Sequence, residues 1–192
     1  MTHQTSEPYE ASEADAVGAV GLTFEAFVTA TAGRLLRTAL FLVYDRHLAE
    51  DLVQSAYERV ARRWNRVRQG VSPEAYARRV LVNLAIDERG RRARLGMVPA
   101  GSAGEMEALA VGVDAAGVEE DPATRALFRG ALRTLPVKQR AVIVLRYWCD
   151  LSEQEIADTL GISRGTVKSH ASRALTALRA QVGAEEVGSG GR

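Results

Sequence analysis

The sequence predicts an all-α protein made of two helical modules joined by a flexible acidic linker, with a helix-turn-helix in the second module. Three observations predict this arrangement. Apolar residues recur at three- and four-residue spacing in both halves of the chain, and no useful stretch alternates as a strand does. Residues 95–121 are rich in Gly, Ala and acidic residues and contain no Lys or Arg. Finally, Gly161 interrupts a helical pattern that resumes within a few residues.

Composition divides the chain into five segments. These are a disordered acidic tail at residues 1–21, a first module at 22–94, a linker at 95–121, a second module at 122–182 and a tail at 183–192. The first tail has almost no large apolar side chains, so burial cannot offset the entropy of ordering it. As a flexible coil the 27 linker residues would span about 30 Å in the root-mean-square sense. The two modules are therefore expected to be able to separate.

The first module is predicted to contain three helices. Residues 22–43 carry a helical apolar pattern, and residues 47–64 form the clearest amphipathic helix in the chain. After a polar loop at 65–72, Ser72 and Pro73 supply an N-cap and a first-turn proline for the third helix. That helix becomes strongly basic towards Arg94.

The second module is predicted to begin near Pro122 and to continue with a helix that has Pro136 in its first turn. The helix-turn-helix follows, in the stretch LSEQEIADTLGISRGTVKSHASR. Ser152 and Glu155 have the spacing of a capping box, Gly161 can end the first helix, and Ser163 can cap the second. A buried stripe is predicted on the second helix at Val167, Ala171, Ala174, Leu175 and Leu178.

The solvent side of the second helix is rich in hydrogen-bond donors. Its residues are Arg164, Thr166, Lys168, Ser169, Ser172 and Arg173. Lys and Arg can bond guanine acceptors or phosphates, Ser and Thr can bond either, and free amides at a helix start favour a phosphate. This pattern predicts a helix that enters a DNA major groove. The alternative is the solvated polar face of an ordinary helical hairpin.

Charge is unevenly distributed, although the net charge is only +1. Residues 34–94 carry 14 Lys and Arg against 7 Asp and Glu, and residues 125–179 carry 10 against 4. The remaining segments are acidic. Two separate basic bodies favour two surfaces that face one polyanion, with the acidic linker repelled from it.

Several other functions are not supported by the sequence. The His residues and Cys149 lack ligand spacing, so neither a metal site nor another cofactor is predicted. No catalytic constellation is evident, and the paired carboxylates Glu50 and Asp51 lie on a predicted exposed face. A single cysteine fits a reducing cytosol. No window approaches the length of a bilayer-spanning helix, so we expect a cytoplasmic protein that is not inserted in a membrane.

Two parts of the sequence resemble the conserved regions of bacterial RNA polymerase sigma factors. The strings LAEDLVQSAYERVARRWNRV and PEAYARRVLVNLAIDERGRR are similar to sigma region 2. The string LPVKQRAVIVLRYWCDLSEQEIADTLGISRGTVKSHASRALTALR is similar to sigma region 4. Their order, the chain length and the acidic linker most resemble the extracytoplasmic-function class, in its actinobacterial sigma-E-type branch.

The resemblance implies a dissociable, non-enzymatic subunit that directs core RNA polymerase to promoter DNA. The second module would read the minus-thirty-five element with the six donor-rich residues given above. The implied minus-ten residues, which would capture and unstack bases, are Trp64, Asn65, Arg68, Tyr76 and Asn83. For Trp64 and Tyr76 core packing is an equal alternative, since both continue apolar stripes.

The resemblance also implies protein partners. Asp51, Leu52 and Gln54 would dock on the clamp of the largest polymerase subunit, while the flap is a further expected contact. An anti-sigma factor is an expected inhibitor. Two other readings stay open: a free-standing helix-turn-helix regulator that acts without polymerase, and an interaction protein that has lost promoter function.

Overall fold

The computed structural model describes residues 22–70, 72–96 and 130–189, with side chains as far as Gln181. Within those ranges the regular structure is helical and no strand occurs. The helices are α1 Phe24–Val43, α2 Arg46–Ala61, α3 Trp64–Val67, α4 Pro73–Arg94, α5 at residues 130–134, α6 Val137–Ile143, α7 Glu153–Leu160 and α8 Arg164–Ser189. The predicted tail at 1–21 and all but the first two residues of the predicted linker lie outside the described residues, as do the start of the second module and the last three residues of the chain.

The first module is formed by α1, α2 and α4, each of which begins at a side-chain cap. Thr23 accepts a hydrogen bond from the amide of Ala26, and Asp45 and Ser72 cap α2 and α4 in the same way. Pro73 occupies the first turn of α4, as the sequence predicts. The buried faces of the three helices pack together. The three helices are therefore positioned by local capping and by one shared apolar core.

The second helix is shorter than the sequence predicts. It ends at Ala61, and Trp64 instead begins the short helix α3 inside the predicted polar loop. The break lies at Arg63, whose backbone (φ −123°, ψ 15°) is outside the helical range. The turn lets the indole of Trp64 reach the rings of Phe24 and Phe27, at centroid distances of 5.4 and 5.2 Å. Tertiary packing thus overrides the continuing apolar period.

In the second module α6 runs into a π-helical segment, Val144–Trp148, before the helix-turn-helix. The wider π turn alters the helical register, so Val144 and Leu145 are buried while Tyr147 is 59% exposed. Pro136 precedes α6 as its N-cap and does not occupy its first turn. The sequence predicts the helix but not its change of pitch.

The two modules pack against each other in this structure. One buried cluster contains α1, α2 and α4 residues together with Val142, Leu145 and Ile156 of the second module. The rings of Phe41 and Trp148 meet across the boundary at 4.6 Å, and the Thr38 hydroxyl lies 3.7 Å from the sulfur of Cys149. Burial raises the pKa of that thiol. The modules do not form separate bodies here, a point the sequence leaves open.

Among the described residues, Arg140 is the largest fully buried side chain. Its guanidinium donates to the carbonyl oxygens of Leu132, Arg133 and Leu135, which fixes the chain between α5 and α6. It also lies over the ring of Tyr44, 4.9 Å from the centroid. Burial lowers its pKa to about 10, so the group stays charged at neutral pH. The charge is tolerated because oxygen acceptors replace its water shell.

Helix α1 corrects one expectation from the sequence. An 18-residue window of this 20-residue helix has a mean hydropathy of 1.4, so by length and composition the helix could cross a membrane. However, 44% of the apolar window is buried within the protein, and its inner face packs on α2 and α4. The expectation that no window approaches spanning length is wrong for this helix, although the core of the first module accounts for its apolar composition.

Candidate nucleic-acid interface

The helix-turn-helix is built by the local signals that the sequence contains. The Ser152 side chain accepts from the amide of Glu155, while the Glu155 carboxylate accepts from the amide and hydroxyl of Ser152. These bonds lower the pKa of Glu155. Gly161 ends α7 in the left-handed conformation, with φ 64°, and the Ser163 hydroxyl caps α8 at the amide of Thr166. The predicted capping box, turn and second cap are confirmed.

Helix α8 buries one face and exposes the other, as the spacing predicts. Val167, Ala171, Ala174 and Leu178 are buried, and Leu175 is half-buried. Of the six predicted DNA contacts, five are exposed: Arg164, Lys168, Ser169, Ser172 and Arg173. Thr166 is half-buried, and its hydroxyl bonds that of Ser163 at 2.8 Å. The fold therefore brings five of the six predicted donors to the accessible side of one helix.

A carboxylate lies beside this donor-rich face, and sequence reasoning missed it. Glu153, in the first turn of α7, accepts from Arg146 at 3.3 Å through Oε1. Its other oxygen lies 3.7 Å from Lys168 Nζ and 4.0 Å from Arg164 Nη2. Only 23% of the Glu153 side chain is exposed, against more than half of each recognition-helix cation. A Glu in the capped first turn of a helix gives no sequence signal for such contacts.

His170 lies between the buried and exposed faces of α8. Its Nδ1 is buried without a hydrogen-bond partner. Burial, followed by the charges of Arg173 and Lys138, lowers the pKa of the imidazole below its ordinary value. The ring is therefore neutral at pH 7, and the positive charge of the face comes from Lys and Arg.

The first module carries a cationic cavity of about 620 Å³ at the end of α2 and beside α4. Two of the predicted minus-ten residues, Tyr76 and Asn83, line it. Arg63 donates to the Tyr76 hydroxyl at 3.4 Å. The remaining lining residues include Arg59, Arg62, Arg79 and Val80. These arginines were not predicted as site residues. The three-residue spacing of Arg59 and Arg62 at the end of α2, and of Tyr76 and Arg79 on α4, could have indicated a common face.

The other predicted minus-ten residues are not brought into this cavity. Trp64 packs its ring among Phe24, Phe27 and the core of the first module, which favours the core alternative for this residue. Asn65 is exposed and Arg68 half-buried on and just after α3. Their roles stay predictions, as does that of Trp64.

The residues predicted to dock on polymerase lie in the middle of α2. Asp51 and Gln54 are exposed, whereas the Leu52 side chain is only 7% exposed and belongs to the core of the first module. Gln54 lines an apolar groove of about 560 Å³ between α1 and α2, together with Phe24, Leu36 and other residues. The surface around Asp51 and Gln54 thus combines exposed polar groups with accessible apolar surface. A direct role for Leu52 stays a prediction, and in this structure its side chain supports the helix from inside.

Comparison with known families identifies both modules. Residues 27–95 match the Sigma-70 region 2 family, and residues 125–178 match Sigma-70 region 4. The chain belongs to the sigma-70 family of RNA polymerase sigma factors. The cationic cavity and the exposed α2 face with Asp51 and Gln54 lie in region 2, and the helix-turn-helix lies in region 4.

Similar proteins place this sigma factor in the extracytoplasmic-function class, of the sigma-E type. It is 39% identical over 166 residues to RNA polymerase sigma-E factor of Streptomyces coelicolor, covering 86% of this chain and 89% of the relative. It is 33% identical over 188 residues to the ECF RNA polymerase sigma factor SigE of Mycolicibacterium smegmatis, covering 91% of this chain and 68% of the relative. The family resemblance drawn from the sequence is confirmed.

Solved structures support the fold of this sigma factor. The sigma factor RpoE, determined in complex with the anti-sigma factor NepR from Bartonella quintana, aligns with a TM-score of 0.61 at 24% identity, over 83% of this chain and 96% of that chain. CnrH, in complex with the cytosolic domain of CnrY, aligns with a TM-score of 0.58 at 22% identity, over 88% of this chain and 94% of that chain. The all-α fold is therefore shared.

Proposed function

We propose that this sigma factor binds core RNA polymerase and directs it to promoters whose two elements are read by its two modules. The observation that carries the proposal is the pair of accessible cationic surfaces, one on α8 and one at the cavity beside α4. Each is formed by residues of a different conserved region. The protein itself catalyses nothing and acts as a dissociable specificity subunit in the cytoplasm.

Region 4 is proposed to read the minus-thirty-five element through the major groove. Lys168, Ser169, Ser172 and Arg173 lie on the exposed face of α8, where they can reach base edges. Arg164 and Thr166 lie in its first turn, where side chains and free amides suit phosphate contacts. The phosphate contacts would fix the register of the helix, and the base contacts would select the sequence.

Region 2 is proposed to hold separated bases of the minus-ten element in or near the cationic cavity. A Tyr face suits base stacking, the Asn83 amide can bond a base edge, and the surrounding arginines suit the backbone of a single strand. The volume of about 620 Å³ is large enough for a group of nucleotide size. Asn65 and Arg68 would extend this surface along the strand, and Trp64 would support it through the core.

The packed modules would have to separate for polymerase to use both surfaces. The linker length allows an average separation of about 30 Å once the interface is released. Docking through Asp51 and Gln54 on the polymerase clamp, with a flap contact for region 4, would then fix the spacing between modules. Linking two weak DNA contacts in this way raises the effective concentration for the second.

An anti-sigma partner is a further part of the proposal. The structurally similar sigma factor RpoE was solved with the anti-sigma factor NepR, and the apolar groove beside Gln54 offers a surface that such a protein could cover. Occupation of this face would exclude polymerase. A free-standing regulator is the competing function, but it gives the exposed α2 face and the region 2 cavity no role.

The deciding experiment is transcription from a selected promoter library by core polymerase, with and without the purified protein. Gln54→Ala tests docking and Lys168→Ala tests promoter reading, with Arg179→Ala as a control that removes an exposed cation three turns further along α8. Initiation at discrete start sites should require the protein and should weaken in both test variants. Specific DNA binding without any initiation by core polymerase would instead support the free-standing regulator.

A further inference from the structure

Glu153 is the one acidic side chain in an ion pair with the recognition helix among the described residues. Its Oε1 accepts a hydrogen bond from Arg146 of the π-helical segment, which restrains the carboxylate through that oxygen. Its Oε2 faces the two cations, Lys168 and Arg164. We propose that Glu153 is a specificity-determining residue that positions Lys168 for a base contact and restrains it from binding phosphates indiscriminately.

A lysine side chain is flexible before it binds DNA. Lys has a flexible stem and a compact charge, so an unrestrained Lys168 could contact phosphates of any sequence. A fixed carboxylate 3.7 Å away limits the positions of the ammonium group before DNA arrives. The same carboxylate repels phosphates that approach this part of the face.

Glu153 should therefore weaken non-specific DNA binding and support specific binding. In a non-specific complex Glu153 opposes the phosphate contacts that supply most of the affinity. In a specific complex a base edge can bond Lys168 while Glu153 keeps the side chain in place, so less conformational freedom is lost on binding. The carboxylate would lower overall DNA affinity and increase discrimination, as repulsive elements do at other specific interfaces.

The other acidic residues of α7 do not share this arrangement. Glu155 is bonded to Ser152 in the capping box, and Asp158 accepts from Gln154 at 3.0 Å. Asp158 is exposed and makes no ion pair in the described part of the chain. It therefore offers a matched control, because Asp158→Asn removes the same charge from the same helix without touching the recognition cations.

The test uses holoenzyme assembled from the full-length chain and core polymerase. Its affinity is measured for a promoter with an intact minus-thirty-five element and for one with that element scrambled, and the ratio of the two gives the discrimination. We expect Glu153→Gln to lower this ratio roughly tenfold, mostly by tightening binding to the scrambled promoter. The salt dependence of binding to the scrambled promoter should steepen by about one phosphate contact. Asp158→Asn should leave the ratio unchanged.

Three results would overturn the inference: an unchanged ratio in Glu153→Gln, an equal loss in Asp158→Asn, or a loss accompanied by a clearly lower melting temperature, which indicates a structural role. In a Lys168→Ala background, Glu153→Gln should lower the ratio clearly less than it does alone, because the positioned group is gone and only the repulsion of phosphates is removed. The inference rests on the proposed reading of the minus-thirty-five element. If wild-type holoenzyme fails to distinguish the two promoters, that proposal itself fails; if it distinguishes them, the variants test Glu153 alone.

Discussion

The guanidinium of Arg140 in region 4 donates a hydrogen bond of 2.7 Å to the carbonyl oxygen of Leu42, near the end of α1 in region 2. The same group bonds three carbonyl oxygens in the chain before α6. One buried side chain thus joins the local fold of region 4 to its packing on region 2. Removing the Arg140 side chain should therefore destabilise both the local fold of region 4 and its packing on region 2.

Arg140→Met should destabilise the protein strongly, because it leaves several buried carbonyl oxygens without a donor. We expect a loss of about 3–5 kcal/mol in the free energy of unfolding, measured by urea denaturation. Arg179→Met applies the same substitution to an exposed residue of α8 and should change stability little. Equal losses in the two variants would show that the buried hydrogen bonds contribute nothing measurable.

The ring contact between Phe41 and Trp148 should help to hold the modules together. Trp148→Ala removes aromatic burial at the boundary, so we expect a larger radius of gyration for the free protein in small-angle X-ray scattering. Tyr147→Ala is the control, because Tyr147 is the neighbouring residue and is 59% exposed. If both variants have the radius of gyration of the wild type, this ring contact does not help to hold the two modules together.

Arg62 should contribute to promoter opening through the cationic cavity. We expect Arg62→Ala to weaken holoenzyme binding to a premelted promoter and to reduce the salt slope by about one. The fluorescence of a base analogue in the minus-ten element would report the loss of unstacking. Arg46→Ala, at the opposite end of α2 and paired with Glu50, should have little effect on either measurement. A matching decline in both variants would point to general electrostatics and away from the cavity.

Glu88 should make stability depend on pH in the acid range. Hydrogen bonds from Arg91 and Arg92 hold its pKa at about 2, below its usual 4.5. The unfolded chain therefore takes up a proton first as pH falls, and the stabilisation present above about pH 4.5 is lost between that value and about pH 2. Arg92 also bonds Asp45, so the network joins α4 to α2.

Glu88→Gln should accordingly lower the free energy of unfolding by up to about 1 kcal/mol at neutral pH. The difference from wild type should shrink as the pH is lowered through this window. Asp87→Asn, on the exposed neighbouring position, controls for the change in net charge. Urea denaturation at several pH values would measure both, and a difference that stays constant down to pH 2 would contradict the assignment.

Several features of this protein were determined by the sequence because their causes are local. The cap residues, Pro73, Gly161 and the apolar stripe of α8 each act within one or two turns, so the helix-turn-helix and its exposed donors could be predicted in place. The family was also predictable, since both conserved regions occur in one chain. The end of α2 was not, because Trp64 turns away to reach aromatic partners on another helix.

Only the tertiary structure decided which charged residues meet and which are buried. Arg140 looks like any solvated arginine in the sequence, yet its acceptors come from the chain before α6 and from region 2. Glu153 meets Lys168 because the turn at Gly161 folds α7 against α8. The packing of region 4 on region 2 likewise depends on contacts about a hundred residues apart. Local patterns specify helices and their faces, whereas long-range packing sets which charged side chains become partners.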